Sequence, residues 1–261
     1  MPKLTETIKP RGLKLIQYGE SGSGKSVRAA QFAQFGPIYF FDFDGKMDSL
    51  RMYLSAKQPT LLDKIDYDVY RGQDLDIIER VNAKLKAIEE SIKVGKPLYA
   101  TLVFDSWSAW ERTYFDHLLA RFNSMGGKGW GEARSTVQIT KDEKVILPGT
   151  ADHQLKNRAF PEFVDKITSL PLNVIVNCHL KEVLKGPATI AASGEIAKTL
   201  PKYFNEFHYL YSTALGQYKV RIKPNDEFLA NSSRTDVGSS GVLDKDDLTV
   251  YDNFLCQITF W

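Results

Sequence analysis

The sequence predicts one α/β domain: a mainly parallel sheet with helices on both faces and an antiparallel hairpin near its C-terminal end. Three observations predict it. Short, almost continuously apolar runs at 13–18, 38–44, 99–105 and 172–179 read as strands buried on both faces. Helical stretches separate them, which is the rhythm of crossover connections. A Gly/Ser-rich turn, 18–26, joins the first strand directly to the first helix.

Each element has its own justification. The run LKLIQY (13–18) ends at that turn, and residues 25–35 carry Val27, Ala29, Ala30, Phe32 and Ala33 at helical spacing. Gly36-Pro37 introduces the strand IYFFDFD (38–44). In 75–94, Leu75, Ile78, Val81, Leu85, Ile88 and Ile92 share one helical face, and Gly95 stops the helix. Pro97 precedes the strand YATLVFD (99–105), and an aromatic-rich helix runs from Trp107 to Phe122. LNVIVNCH (172–179) is the fourth strand. The runs 207–212 and 217–223, joined by Thr-Ala-Leu-Gly, read as the hairpin. Two stretches, 123–157 and 181–201, lack sustained periodicity and read as long surface insertions. Residues 1–235 form the expected core. The tail 236–261 mixes Ser, Gly and Asp with Tyr251, Phe254 and Trp261 and has no assigned role.

Composition sets the class. Of 261 residues, 43% are hydrophobic and 25% charged, the balance of a soluble globular domain. No apolar run reaches membrane-spanning length, and the N-terminus lacks the apolar core of a secretory leader. Cys178 and Cys256 have no metal spacing, so a reducing cytoplasm is the expected setting, with no membrane partner. The net charge of +2 does not by itself announce a nucleic-acid binder.

The chemistry begins at Gly19-Glu20-Ser21-Gly22-Ser23-Gly24-Lys25-Ser26, followed by Val27. Glycine costs backbone entropy on ordering, so such a cluster needs a compensating task. The spacing of Gly19 to Gly24-Lys25-Ser26 is that of a phosphate-binding loop, whose N–H groups converge on phosphates. Lys25 is then expected at the β- and γ-phosphates of ATP and the Ser26 hydroxyl on Mg²⁺. Asp105 closes the apolar run TLVFD, where open α/β sheets bind ligands, and is expected to hold the Mg²⁺ shell. The alternative is a helix cap before Trp107. Asp42 and Asp44 lie two apart near the end of their strand; Asp44, beside Gly45, is expected to orient the attacking water, with Asp42 behind it or simply ending the strand. His179, two residues after Asn177, is a candidate sensor of the γ-phosphate or a structural histidine.

This order of parts resembles the RecA-type P-loop ATPase core: the glycine loop, then FFDFDGKMDS, LVFDS, VNCH and a hairpin. The segment GEIAKTLPKYFNEFHYLYS is similar to that of small phage-encoded P-loop NTPases linked to recombination and single-strand annealing. The resemblance, over 12–235, implies a Mg²⁺-dependent ATPase with Lys25, Asp44, Asp105 and His179 in catalytic positions. It implies single-stranded DNA as a partner, a ring or filament of copies, and a recombination or single-strand-binding protein as a further partner. It places Lys128, Trp130 and Arg134 in one DNA-facing loop, and Lys181, Lys185, Lys198 and Lys202 in the other. It also brings Arg221, Lys223 and Arg234 towards a neighbour's nucleotide. Three departures stand out: an Asp at the catalytic-acid position where the family has Glu, a short segment ahead of the first strand, and a 123–157 insertion longer than a simple helix connection. Two other readings remain: a small-molecule kinase using Arg121, Arg134 or Arg158, and an ATP-regulated loading module.

Overall fold

A computed structural model of the chain describes residues 12–71, 76–124, 136–138, 144–146, 150–183, 187–192, 194–231 and 242–244. The elements are β1 (Lys14–Gly19), α1 (Lys25–Gln31), β2 (Ile38–Asp42), α2 (Met47–Lys57), β3 (Ile65–Val69), α3 (Ile77–Lys93), β4 (Thr101–Asp105) and α4 (Trp107–Ser124). They continue as β5 (Thr136–Gln138), β6 (Lys144–Ile146), α5 (Thr150–Thr168), β7 (Asn173–Lys181), β8 (Thr189–Ile190), α6 (Gly194–Thr199), β9 (Glu206–Ser212), β10 (Tyr218–Arg221) and β11 (Val242–Asp244).

The main sheet runs β11-β10-β9-β1-β7-β4-β2-β3, with β8 beside β7 and β5-β6 as a separate ribbon. Every pairing from β9 across to β3 is parallel, and β10 closes the other side as the antiparallel hairpin. The predicted fold class is therefore the observed one. β11 comes from the tail segment and pairs antiparallel with β10, so part of that tail belongs to the sheet.

Alternation along the strands explains two separate cores. Leu15, Phe40, Val103 and Ile175 pack under α1 and α2, against Ala29, Ala30, Leu50 and Leu54. Ile16, Phe41, Phe104 and Val176 face the other way, onto α3, α4, α5 and α6 through Val81, Trp107, Phe163 and Ile196. Full burial of each such side chain contributes about 1.5–3 kcal/mol, so both faces are needed to hold the strands.

Three stretches differ from expectation, one of them 181–201, which holds β8 and α6 where an irregular insertion was expected. The stretch 123–157 includes the β5-β6 ribbon and the first turns of α5, a helix with Pro161 inside it. α2 and β3 follow the β2 turn where no element was expected. β3 is an edge strand whose Asp66 and Asp68 break the apolar pattern; they accept hydrogen bonds from Tyr99 and Tyr39.

Register places the functional edge. Gly19 pairs with His179, Asn177 with Asp105, and Asp105 with Asp42, all at the carboxyl ends of parallel strands. Because β7 lies between β1 and β4, the strand carrying His179 separates the glycine loop from Asp105.

Candidate functional site

The loop geometry follows from its glycines. A Cβ on Gly19 would sit 2.1 Å from the Leu210 carbonyl oxygen, so β9 can approach only a glycine here. Gly24 has φ 88°, a left-handed conformation that turns the chain into α1. The loop thus folds back over its own strand, and the Lys25 side chain is buried inside it. Lys25 Nζ donates to the carbonyl oxygens of Gly19 (2.9 Å) and Glu20 (2.7 Å) and to Ser23 Oγ (3.4 Å). Burial pushes the Lys25 ammonium below the usual lysine range, with Lys46 adding to the fall and Asp105 and Asp44 opposing it.

Ser26 Oγ donates to Asp105 Oδ2. Asp105 is 7% exposed, and burial pushes its carboxyl up. The Ser26 hydrogen bond opposes that rise, while the negative charges of Asp44 and Asp42 add to it. A cation at this point relieves all three unfavourable contributions. Among the described residues no group of three or more His, Cys, Asp or Glu is placed to hold a metal alone. One hydroxyl and one acid suit Mg²⁺, which completes its shell with phosphate oxygens and water. The donor set fits that ion, and Ser26 and Asp105 are the residues that would hold it.

The turn after β2 is organised by Asp42, which is 1% exposed. Its Oδ1 accepts from the N–H groups of Asp44 (3.1 Å), Gly45 (2.8 Å) and Lys46 (3.3 Å), and Oδ2 from Met47 (3.2 Å). Asp42 is therefore the acid that holds the turn, and Asp44 is the acid the turn presents. Asp44 Oδ1 accepts from Ser106 Oγ (3.1 Å), and Oδ2 lies 3.2 Å from His179 Nε2 and 3.5 Å from Lys46 Nζ. Burial pushes Asp44 up, but His179, Lys46 and Ser106 together outweigh it and hold the carboxyl at about 2. His179 is fixed in turn: its N–H donates to Ser108 Oγ (3.3 Å), and Ser108 Oγ donates to the Ala191 carbonyl (2.7 Å).

These parts share one cavity of about 240 Å³. Lys25, Ser26, Asp44, Asp105 and His179 line its polar part, so the five side chains singled out for chemistry converge. Leu50, Tyr53 and Tyr218 line the rest, and Lys46 also faces in. Sequence reasoning missed Lys46, Tyr53 and Tyr218. Lys46 carried a signal, standing two residues after Asp44, whereas Tyr53 and Tyr218 come from distant elements.

The remaining candidates are dispersed. Lys181 and Lys198 are exposed, at the end of β7 and in α6, and Lys202 is also exposed. Arg221 lies in a second hollow with Glu20, Ser21 and Ser23 of its own chain's loop, and Lys223 is half-buried. Lys128, Trp130, Arg134, Lys185 and Arg234 lie outside the described residues. No helix among the described residues is long and apolar enough to cross a membrane.

Comparison with known proteins agrees with this geometry. A family model described as an AAA domain matches residues 11–233. Among solved structures, the chain is similar to a prototypical ATPase from the type III secretion system of pathogenic bacteria. That likeness has a TM-score of 0.50 at 14% identity, covering 77% of this chain and 52% of that one. The chain thus spans about half the length of that ATPase, and the likeness speaks to the fold. No curated protein matches the sequence.

Proposed function

Because the chain belongs to the AAA domain family, we propose that it is a Mg²⁺-dependent ATPase whose turnover is coupled to single-stranded DNA. The convergence of Lys25, Ser26, Asp105, Asp44 and His179 on one cavity carries the ATPase part of the reading.

The chemistry assigned to each group follows from its surroundings. Lys25 exchanges its loop carbonyls for the β- and γ-phosphates, whose negative charge offsets the burial that disfavours its ammonium. Mg²⁺ held by Ser26 and Asp105 supplies charge neutralisation on the phosphate oxygens. Asp44, ionised and pinned by three donors, orients a water and takes its proton. The water oxygen bonds the γ-phosphorus, the bond to the bridging oxygen of the β-phosphate breaks, and ADP and inorganic phosphate leave. Tyr53 and Tyr218, with Leu50, offer a base the apolar and aromatic surface that phosphates would avoid.

Coupling to DNA rests on the resemblance and on one mechanical link. His179 contacts Asp44, and Lys181 is exposed two residues further along the same strand. A polyanion drawn to Lys181 would sit two residues from His179, the partner of the catalytic carboxylate. The site chemistry is equally compatible with a role in recombination or strand annealing, which is the biological setting we infer.

The test is phosphate release from ATP with Mg²⁺, with and without single-stranded DNA, using Lys25→Ala as the blank. Stimulation that weakens with salt and vanishes in the blank is the expected result. Lys25-dependent turnover indifferent to DNA overturns the coupling and leaves the ATPase standing.

A further inference from the structure

The turn that presents Asp44 also presents a cation. We propose that Lys46 is a second catalytic lysine of this site: its ammonium contacts the γ-phosphate of the bound triphosphate and stabilises the charge that develops there during hydrolysis. The proposal rests on reading the cavity as a nucleotide site.

Four observations carry it. Lys46 lines the same cavity as Lys25, Ser26 and Asp105. Its backbone N–H is one of the four held by the Asp42 carboxylate, so the residue leaves the turn in a fixed direction. Its Nζ lies 3.5 Å from Asp44 Oδ2, the carboxylate oxygen that His179 also contacts, which puts the ammonium beside the reacting group. The Lys46 side chain is 56% exposed and the Asp44 pair is long, so the ion pair is readily broken when a stronger anion arrives.

Charge accounting points the same way. The cavity faces a triphosphate with the carboxylates of Asp44 and Asp105, and Lys25 answers from the loop side of the phosphates. Mg²⁺, when bound, would be held by Ser26 and Asp105, away from the Asp44 carboxylate's partners Ser106, His179 and Lys46. The Asp44 side, where the water attacks, would otherwise set a carboxylate against the γ-phosphate with no lysine or arginine of the described lining besides Lys25 to offset it. Lys46 is placed to offset it, within one chain. In this arrangement the cation and the base come from one six-residue turn and move together.

The experiment compares the full chain with Lys46→Ala and Lys46→Arg, after thermal melting shows that each folds like the unaltered protein. The readouts are steady-state ATP turnover and the affinities for fluorescent ADP and for a non-hydrolysable ATP analogue. Loss of a single preorganised charge at the transition state predicts about a 10²-fold fall in kcat for Lys46→Ala. ADP affinity should stay within about twofold, the ATP analogue should bind several-fold more weakly, and Lys46→Arg should recover most of the rate. Turnover of Lys46→Ala within about threefold of the unaltered chain overturns the proposal. So does an equal loss of ADP and ATP-analogue binding, which would make Lys46 a general support of the loop. If the unaltered chain binds no nucleotide, the site reading falls as well, so the two failures are distinct.

Discussion

The phosphate loop has a hollow on each flank, and the smaller one is built for chemistry. On one side, about 240 Å³ of space is bounded by Lys25, Lys46, Asp44, Asp105 and His179. On the other, about 350 Å³ lies between Glu20, Arg221, Glu227 and the rings of Tyr209, Tyr211 and Phe228. The first gathers groups whose ionisation is strained or poised: a lysine pushed down, an acid pushed up, and another acid held at about 2. In the second, the rings are already spent on one another. Tyr209 stacks on Phe228 at 3.9 Å and on Tyr211 at 5.4 Å between centroids. Burial pushes the Tyr209 phenol up to about 12, and the carboxylates of Glu20 and Glu227 add to the rise. Two acids against one arginine make a poor seat for a triphosphate. Volume does not mark the site; the pairing of a cation-ready acid with a hydroxyl, beside a second carboxylate held ionised by His179, Lys46 and Ser106, does.

The comparison can be broken most decisively at Lys25. Lys25→Ala removes the one ammonium inside the loop and should cut ATP turnover by about 10²–10³-fold, the scale of losing one preorganised charge at a phosphoryl-transfer site. Retained turnover would move the chemistry away from this hollow. Next in size is Asp44→Asn, expected to lower kcat about 10²-fold while ADP still binds, because only proton removal and water orientation are lost. Its pH signature is separate from activity. The folded carboxyl sits at about 2 against an ordinary 3.8, so its contribution to stability is present above about pH 4 and is lost as pH falls towards 2. Acid unfolding curves of the unaltered chain and Asp44→Asn should therefore converge at the acid end. Parallel curves would mean that His179, Lys46 and Ser106 do not hold the ionised form.

How much of this was legible depended on whether a residue's task was local. The loop was readable because phosphate cradling needs glycines and a lysine at fixed spacing. The strands were readable because both of their faces are covered, and Asp105 because it ends such a run. Asp42 was harder: its role is to collect four N–H groups from the residues that follow, and an Asp before Gly45 has many ordinary reasons to be there. β3 was missed because tyrosine partners satisfy Asp66 and Asp68, so the strand carries no apolar run. The buried pair Lys156–Glu111, 3.1 Å apart between α5 and α4, hid the start of α5 inside a polar stretch. Polar residues also meet across the sheet, and of these Gln17 and His208 were not singled out beforehand. His208, Gln17, Asn177, Asp105 and Asp42 are paired in successive registers across five strands, and all are buried. A reading that expects apolar strand interiors has no way to see that seam.

A smaller effect tests whether the reactive flank depends on its supporting turn. Asp42→Ala removes the acceptor for four N–H groups at a buried position and should cost about 2 kcal/mol, read as a lower denaturant midpoint. Turnover should fall with it, because Asp44 and Lys46 lose their direction together. Asp42→Asn keeps one carbonyl oxygen able to accept from 44, 45 and 46, and should retain most of the stability. If Asp42→Ala lowers stability with turnover unchanged, the turn is a fold element and the catalytic groups are held by His179 and Ser106 alone.

The smallest expected effect bears on the second hollow. The family resemblance sends Arg221 towards a neighbour's nucleotide, whereas here it lies beside Glu20, Ser21 and Ser23 of its own chain, in the hollow that lacks Asp44 and Asp105. It shares that hollow with Glu20 and Glu227, whose carboxylates a triphosphate would meet there. Arg221→Ala should therefore change kcat by less than about threefold at any protein concentration, a surface-scale effect. A neighbour-supplied cation behaves differently: turnover per chain rises with protein concentration, and mixing Arg221→Ala with Lys25→Ala restores activity that neither has alone. That rescue is the outcome that would assign the second hollow to an interface between copies and give each flank of the loop its own share of the reaction.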